Sequence, residues 1–220
     1  MAGKAGSIRA LAIAALAAAC SAVAAQDVGM INHLSGEVTY SSGGKKAAAT
    51  AFMKLREGDR VRVPAGAQLR LVYFSGGRQE SYTGPAEFTA GAQSSRVHSG
   101  AQPHVTSLPS GVPQKIAQTP ELLAIAKMGR AGGFAVRGGV RPRTPEQDEE
   151  LRAARETYKR LRAEALADDI TPELYLFSVL QEHRLYGDMK PVVSEMQRRQ
   201  PANPDVELMA DYVQQKLEGR

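Results

Sequence analysis

Two hydrophobic patterns divide the chain. From Val28 to about Ser99, short apolar runs alternate with polar residues and are separated by Gly, Ser or Pro, which is typical of strands in antiparallel sheets. From Thr144 onward, apolar residues recur at steps of three and four, as they do on one face of an α-helix. The patterns predict an α+β chain of two domains, an N-terminal all-β domain followed by a C-terminal antiparallel helical bundle.

The stretch "DRVRVPAGAQLRLVY" shows the strand pattern most clearly. One set of alternate residues is apolar and predicts the buried face of two strands joined by a Pro-Ala-Gly turn. That set is Val61, Val63, Ala67, Leu69, Leu71 and Tyr73. The other set, which we expect to face solvent, is Arg60, Arg62, Gln68 and Arg70. Cations on such a face most often keep the protein soluble and protect strand edges; a partner-binding role for Arg60, Arg62 and Arg70 is the functional alternative.

The helical half contains its own start signals. Thr144 is followed by Pro145 and, three positions on, by Gln147, which predicts an N-cap with a capping box. A second helix is predicted to begin at Thr171, a third segment covers 188–199, and a fourth begins near Pro204. We expect Gly187 and Asp188 to form the turn between the second and third helices, and the short loops to give helical hairpins.

Residues 101–143 have a looser composition that predicts a linker. The stretch "SGAQPHVTSLPSGVPQ" is rich in Pro and Ser, which suits either a linker or an extended excursion across the β domain. A short helix is predicted at "TPELLAIAKMG", with Thr119 as N-cap and Gly129 as its end. The later "FAVRG" is either part of a flexible basic segment or one more strand.

The first 25 residues have the order of a secretory signal peptide. Lys4 and Arg9 precede a short Ala/Leu run that ends in small residues, and this run is too short to span a bilayer. Cleavage would leave a mature chain near Gln26 with no transmembrane span, located in the periplasm. Cys20 is the only cysteine; the alternative is that it carries a lipid anchor, because "ALAAAC" resembles a bacterial lipobox with its large apolar residue one place too early.

Charge differs between the two halves. Residues 26–145 hold 15 Lys/Arg and 7 Asp/Glu, a net charge of +8, whereas residues 146–220 hold 11 and 16, a net charge of −5. This asymmetry predicts either two surfaces with different partners or two domains that attract each other. We do not expect nucleic acid as the partner of an exported chain.

Motifs for catalysis are missing from the sequence. It contains no Gly-x-Ser-x-Gly elbow, Walker loop, dinucleotide fingerprint or His-Glu-x-x-His, so we expect no catalytic activity, no cofactor and no metal. His98 and His104 lie six residues apart in a loop-like stretch, which is a weak metal signal against an expectation of exposed loop residues. The other two histidines are His33 and His183.

The β half resembles the FecR-like domain of bacterial envelope proteins over roughly seventy residues. The resemblance lies in an opening Gly-x-Val strand, an "L-x-x-G-D-x-V" step, a strand that ends in Gly-Gly, and "GPAEF"; the matching residues are Gly36, Val38, Leu55, Gly58, Asp59, Val61, Gly76 and Gly77. In the step, Gly58 and Asp59 make a tight turn. The resemblance implies a β domain at 26–100 used for binding or scaffolding. That family is best known as the periplasmic part of membrane-spanning sigma-factor regulators, and this chain has a signal peptide where those have a cytoplasmic segment.

The helical region, 144–220, resembles a tetratricopeptide (TPR) repeat. Leu176, Leu180, the Gly187-Asp188 pair and Pro204 lie near the repeat's characteristic positions, but Arg199 stands where a small residue is usual. Only one full repeat is visible, whereas solenoids need about three. The resemblance implies a TPR-like pair of helical hairpins packed against another surface.

Three functions follow as expectations. The preferred one is an exported, non-enzymatic binding or scaffold protein of a Gram-negative envelope, which contacts envelope proteins through Arg60, Arg62 and Arg70. The alternative is recognition of peptidoglycan or an acidic surface polysaccharide by the basic half. The third, an envelope enzyme of unrecognised type, is disfavoured by the missing catalytic motifs.

Overall fold

The computed structural model describes residues 26–130 and 144–219. The predicted signal peptide with Cys20 and the "FAVRG" stretch lie outside the described residues. Within these ranges the chain is α+β, with antiparallel sheets first and helices after them, as the two hydrophobic patterns predict. None of the described helices is both long and apolar enough to cross a bilayer.

In the described part of the chain, ten strands form two five-stranded antiparallel sheets. The first, which we name the covered sheet, has the order β10-β7-β6-β1-β4, and the second, the open sheet, has the order β3-β2-β5-β8-β9. The strands are β1 Asp27–Ser35, β2 Thr39–Ser42, β3 Lys45–Ala48, β4 Lys54–Arg56, β5 Arg60–Val63, β6 Gln68–Tyr73, β7 Arg78–Thr83, β8 Ala86–Ala90, β9 Ser95–Gly100 and β10 His104–Ser107.

The inner faces of the two sheets form a sandwich core. All six apolar residues of the "DRVRVPAGAQLRLVY" pattern are buried there, which confirms that prediction. Tyr82 of β7 stacks on Phe88 of β8 with ring centroids 4.3 Å apart. This contact joins the covered sheet to the open sheet through aromatic surface, which contributes strongly to packing.

Within residues 26–130 and 144–219, six helices follow the strands. They are α1 Val112–Ile116, α2 Thr119–Arg130, α3 Pro145–Glu164, α4 Thr171–Glu182, α5 Tyr186–Arg199 and α6 Pro204–Glu218. The capping box at Thr144 is confirmed, because Gln147 N donates to the Thr144 hydroxyl and Thr144 N donates to Gln147 Oε1 at 3.0 Å. From α3 onward each helix packs against the next. In addition, α1 contacts α4, and α2 contacts α6.

The helices cover the outer face of the first sheet. Met30 of β1, Phe52 and Val72 of β6 belong to the same hydrophobic core as the buried residues of the helices. Strand β6 is therefore buried on both sides, since its other face contributes Leu69, Leu71 and Tyr73 to the sandwich core. The two halves share a core, so they form one packed unit.

The predicted linker contains more regular structure than its composition indicates, and one predicted turn lies elsewhere. Residues 101–143 include a strand, β10, which pairs with β7, as well as α1 and α2. Helix α2 passes through Gly129 to Arg130. The prediction that Gly187 and Asp188 form an inter-helix turn is wrong, because both lie in the first turn of α5. The chain turns at 183–185, where Arg184 has a φ of 55°.

Candidate binding surface on the open sheet

The turn at Gly58 and Asp59 fixes which side chains of β5 point outward. Gly58 has a φ of 90°, a conformation that disfavours other residues, and Asp59 Oδ2 accepts a hydrogen bond from Arg56 N at 2.9 Å. The predicted turn is thus confirmed. It leads into β5 so that Val61 and Val63 are buried while Arg60 and Arg62 are exposed.

A line of outward residues crosses all five strands of the open sheet. Lys46 on β3 is opposite Ser41 on β2, Ser41 is opposite Arg60 on β5, Arg60 is opposite Thr89 on β8, and Thr89 is opposite Arg96 on β9. We name this line the basic row. Its three cations lie on alternate strands, with a hydroxyl residue between each pair.

The neighbouring line adds a fourth cation and one acid. It contains Thr39, Arg62, Glu87 and Ser99, again in register across the strands. We name the two lines together the basic face. Glu87 Oε1 is 3.7 Å from Arg60 Nε, and these side chains are 31% and 60% exposed, so the pair contributes little.

The other cations of the basic face have no acidic partner within the described residues. Lys46, Arg62 and Arg96 are exposed, and no ion pair to a described carboxylate within 4.0 Å involves them. At the edge of the face, His98 Nε2 lies 2.7 Å from Thr89 Oγ1. The face can therefore offer several unpaired cations and several hydroxyl groups to an anionic ligand.

Arg70 does not belong to this face, which corrects the sequence-based expectation. It lies on β6 of the covered sheet, and its side chain is only 4% exposed. Its guanidinium donates to Asp168 Oδ1 and to Ser81 Oγ, both at 3.2 Å, and Nη1 is 3.7 Å from Asp169 Oδ1. The reason is the second face of β6, which meets helices instead of water. Arg70 anchors the helical region.

Buried polar groups surround this anchor. Thr171 Oγ1 accepts from Asn32 Nδ2 at 2.5 Å, and Gln79 Nε2 donates to Asp169 Oδ2 at 2.7 Å. None of these four residues stands out in the sequence as a site residue. The opposite charge of the two halves is one signal of this contact in the sequence, because the Arg70 pairs connect the basic half to the acidic half.

His33 lies beside the same anchor. Its Nε2 is 3.7 Å from Asp168 Oδ2. Burial lowers the pKa of His33 below its ordinary 6.5, and the positive charge of Arg70 lowers it further, against the opposing effect of Asp168 and Asp169. Both effects favour the neutral form of this histidine in the folded chain.

Enclosed space near the anchor is small. A cavity of about 40 Å³ lies between the covered sheet and the helices, and its lining includes Gln79, Ser81, Asp169 and Thr171. That volume suits about two water molecules, so it does not hold a substrate of ordinary size. Among residues 26–130 and 144–219, no three His, Cys, Asp or Glu side chains are grouped to hold a metal ion.

Comparisons with protein-family models, with curated proteins and with solved structures gave no match for this chain. The geometry and charge of the described residues therefore carry the functional assignment.

Proposed function

We propose that this chain is an exported, non-enzymatic binding or scaffold protein of the bacterial envelope, with a FecR-like β domain and a TPR-like helical region. The FecR-like assignment is supported by the "L-x-x-G-D-x-V" step, whose Gly58 and Asp59 make the tight turn before β5. The secretory order of residues 1–25 supports a periplasmic location. The alternative is that the exported chain is a lipoprotein anchored through Cys20.

The observation that carries the proposal is the basic face. Arg60 and Arg62 remain candidate partner-binding residues, Arg70 leaves the set, and Lys46 and Arg96 join it. All four lie on a sheet face that is open to solvent, so binding requires no rearrangement of the core. Cationic surfaces of this kind speed association with acidic partners and set the salt dependence of binding.

The helical region has a different part in this proposal. One of its sides holds the β domain in place through Arg70 and through the core shared with Met30 and Val72. Its remaining surface is available to a peptide or a second protein. An engagement of this kind would leave the basic face free, because that face lies on the opposite side of the sandwich.

A second candidate function is recognition of peptidoglycan or an acidic polysaccharide. It is favoured by the extent of the basic row, which continues over every strand of the open sheet. A single acidic side chain of a protein partner would need only one or two of these cations.

Affinity capture from envelope extracts tests the proposal. The baits are the full chain, the variant Arg60→Gln/Arg62→Gln, and the control Arg152→Gln/Arg160→Gln, which removes two exposed arginines of α3. We expect the full chain and the control to retain the same envelope component, and the first variant to lose most of it. Equal retention by both variants would count against the basic face as the binding surface.

A further inference from the structure

We propose that the basic face binds a linear acidic polysaccharide that lies across the strands, along the basic row. The inference rests on the proposed function, because it takes the basic face as the binding surface, and it adds the class of ligand and its direction. It follows from four features of the row: its spacing, its hydroxyl groups, its free cations and its lack of large aromatic side chains.

The spacing of the cations is regular. Lys46, Arg60 and Arg96 occupy β3, β5 and β9, which are the first, third and fifth strands of the open sheet. Neighbouring strands lie about 4.8 Å apart. The Cα atoms of the three cations, which are on alternate strands, are therefore about 10 Å apart, and the row extends over about 19 Å. A row of like charges at a regular interval complements a polymer that repeats an anionic group along its length.

Hydroxyl groups fill the intervals between the cations. Ser41 lies between Lys46 and Arg60, and Thr89 lies between Arg60 and Arg96. Each hydroxyl can both donate and accept a hydrogen bond, which matches the hydroxyls of a sugar ring. Thr39 and Ser99 repeat this chemistry in the neighbouring line.

The cations are ready to bind. Arg60 has only a long, exposed contact with Glu87 at 3.7 Å, and Lys46 and Arg96 have no acidic partner among residues 26–130 and 144–219. A polyanion therefore displaces no strong ion pair when it binds. It also relieves the mutual repulsion of three like charges held on one rigid sheet.

The face has no platform for stacking. The residues of its two lines include no Phe, Tyr or Trp; Tyr40 and Phe88, on the same strands, pack against the sandwich core instead. Proteins that hold single-stranded nucleic acid combine cations with aromatic rings, so this face lacks half of that chemistry. Recognition here relies on charge and hydrogen bonds.

Titration with polygalacturonate, a linear polymer of acidic sugars, tests the inference on the full chain, with dextran as the neutral polymer. The row variant is Lys46→Gln/Arg60→Gln/Arg96→Gln. The matched control is Arg152→Gln/Arg160→Gln/Lys190→Gln, which removes the same residue types from exposed positions of α3 and α5. All six residues are exposed, so both variants are expected to keep the unfolding midpoint of the parent chain, which is measured first.

We expect polygalacturonate, but not dextran, to bind at low salt. The row variant should bind about 100-fold more weakly, if each cation contributes as a basic residue does at an anionic surface, and the control should stay close to the parent chain. The salt dependence of binding should be shallower in the row variant, since fewer charges are neutralised.

A length series tests the direction. Galacturonate has one carboxylate and can contact only one cation of the row, so Lys46→Gln/Arg96→Gln should weaken binding of the polymer by a larger factor than binding of this monosaccharide. An equal effect on both would overturn the placement of the ligand across the strands.

Failure of the inference differs from failure of the proposed function. The inference is overturned if polygalacturonate binds no better than dextran, or if row and control variants lose affinity equally. If Arg60→Gln/Arg62→Gln nevertheless loses the envelope component, the basic face is still a binding surface and its ligand is of another class. If the row variant still binds polygalacturonate like the parent chain and Arg60→Gln/Arg62→Gln still retains the envelope component, both the inference and the proposed function are contradicted.

Discussion

Strands β5 and β6 have similar alternation but different environments. In β5, Arg60 and Arg62 alternate with buried valines and face water; in β6, Arg70 alternates with buried leucines and is itself 4% exposed. The difference arises almost one hundred residues later, where Asp168 and Asp169 precede α4 and meet Arg70. An alternating pattern therefore identifies one buried face of a strand. Whether the other face is exposed or buried depends on packing with segments that are distant in sequence.

One local signal does separate the two strands. β6 ends in Leu71-Val72-Tyr73, three consecutive apolar residues, and all three are fully buried. Such a run breaks the period of two and is typical of a strand buried on both sides. β5 has no run of this kind. Val72 thus indicated a covered sheet, although the expectation for Arg70 did not take it into account.

The largest expected effect is on the covered side. Arg70→Gln should lower the free energy of unfolding by about 3 kcal/mol, because Asp169 stays buried without its cation. Urea denaturation measures this, and Arg70→Lys, which keeps the charge but not the fork of donors, should lose less. If Arg70→Gln unfolds at the same urea concentration as the parent chain, the anchor role is wrong.

A smaller, pH-dependent effect should come from His33, which faces Arg70, Asp168, Asp169 and Gln200. Its pKa is lowered in the folded chain, so the unfolded chain takes up a proton first as the pH falls through 6.5. Its contribution to stability is complete above that pH and decreases below it, until the pH reaches the folded-state pKa.

Urea denaturation measures this effect when it is repeated from about pH 8 to about pH 5 in steps of about one unit. Each unit by which the folded-state and unfolded-state pKa differ corresponds to about 1.4 kcal/mol of stability. His33→Gln should show a flatter profile than the parent chain over this range. Parallel profiles would show that His33 is not held neutral by the interface.

The smallest expected effect is on the open side. Arg60→Gln/Arg62→Gln should change the free energy of unfolding by about 0.5 kcal/mol or less, since exposed side chains without close partners contribute little. The same denaturation series measures it beside Arg70→Gln. If Arg60→Gln/Arg62→Gln lowers the free energy of unfolding as much as Arg70→Gln does, the outer face of the open sheet is not exposed to solvent. The two sheets would then not differ in the way described here.

Much of the fold follows from local patterns. The order of strands before helices, the strands at "DRVRV" and "AQLRLVY", the Gly58-Asp59 turn and the capping box at Thr144 depend on residues close together in the chain. The turn predicted at Gly187-Asp188 failed because α5 already begins at Tyr186, and a glycine near a helix start tolerates helical backbone as well as a turn.

Only half of the candidate site could be predicted in this way. Arg60 and Arg62 follow from alternation within β5, whereas Lys46 and Arg96 join them through the register of five strands. Register depends on pairing between segments that are distant in sequence, and no local pattern of Lys or Arg contains it. The polar groups around Arg70 were missed for the same reason, since Asn32 and Thr171 come together only when the halves pack.

The position of β6 as a middle layer also sets how freely its sequence can vary. A strand such as β5 can accept many polar residues at every second position, because only one of its faces is packed. β6 contacts the sandwich core with Leu69, Leu71 and Tyr73, and the helices with Arg70 and Val72. Neighbouring sites along it must fit two unrelated surroundings, so β6 should be among the segments of this chain that are least tolerant of substitution.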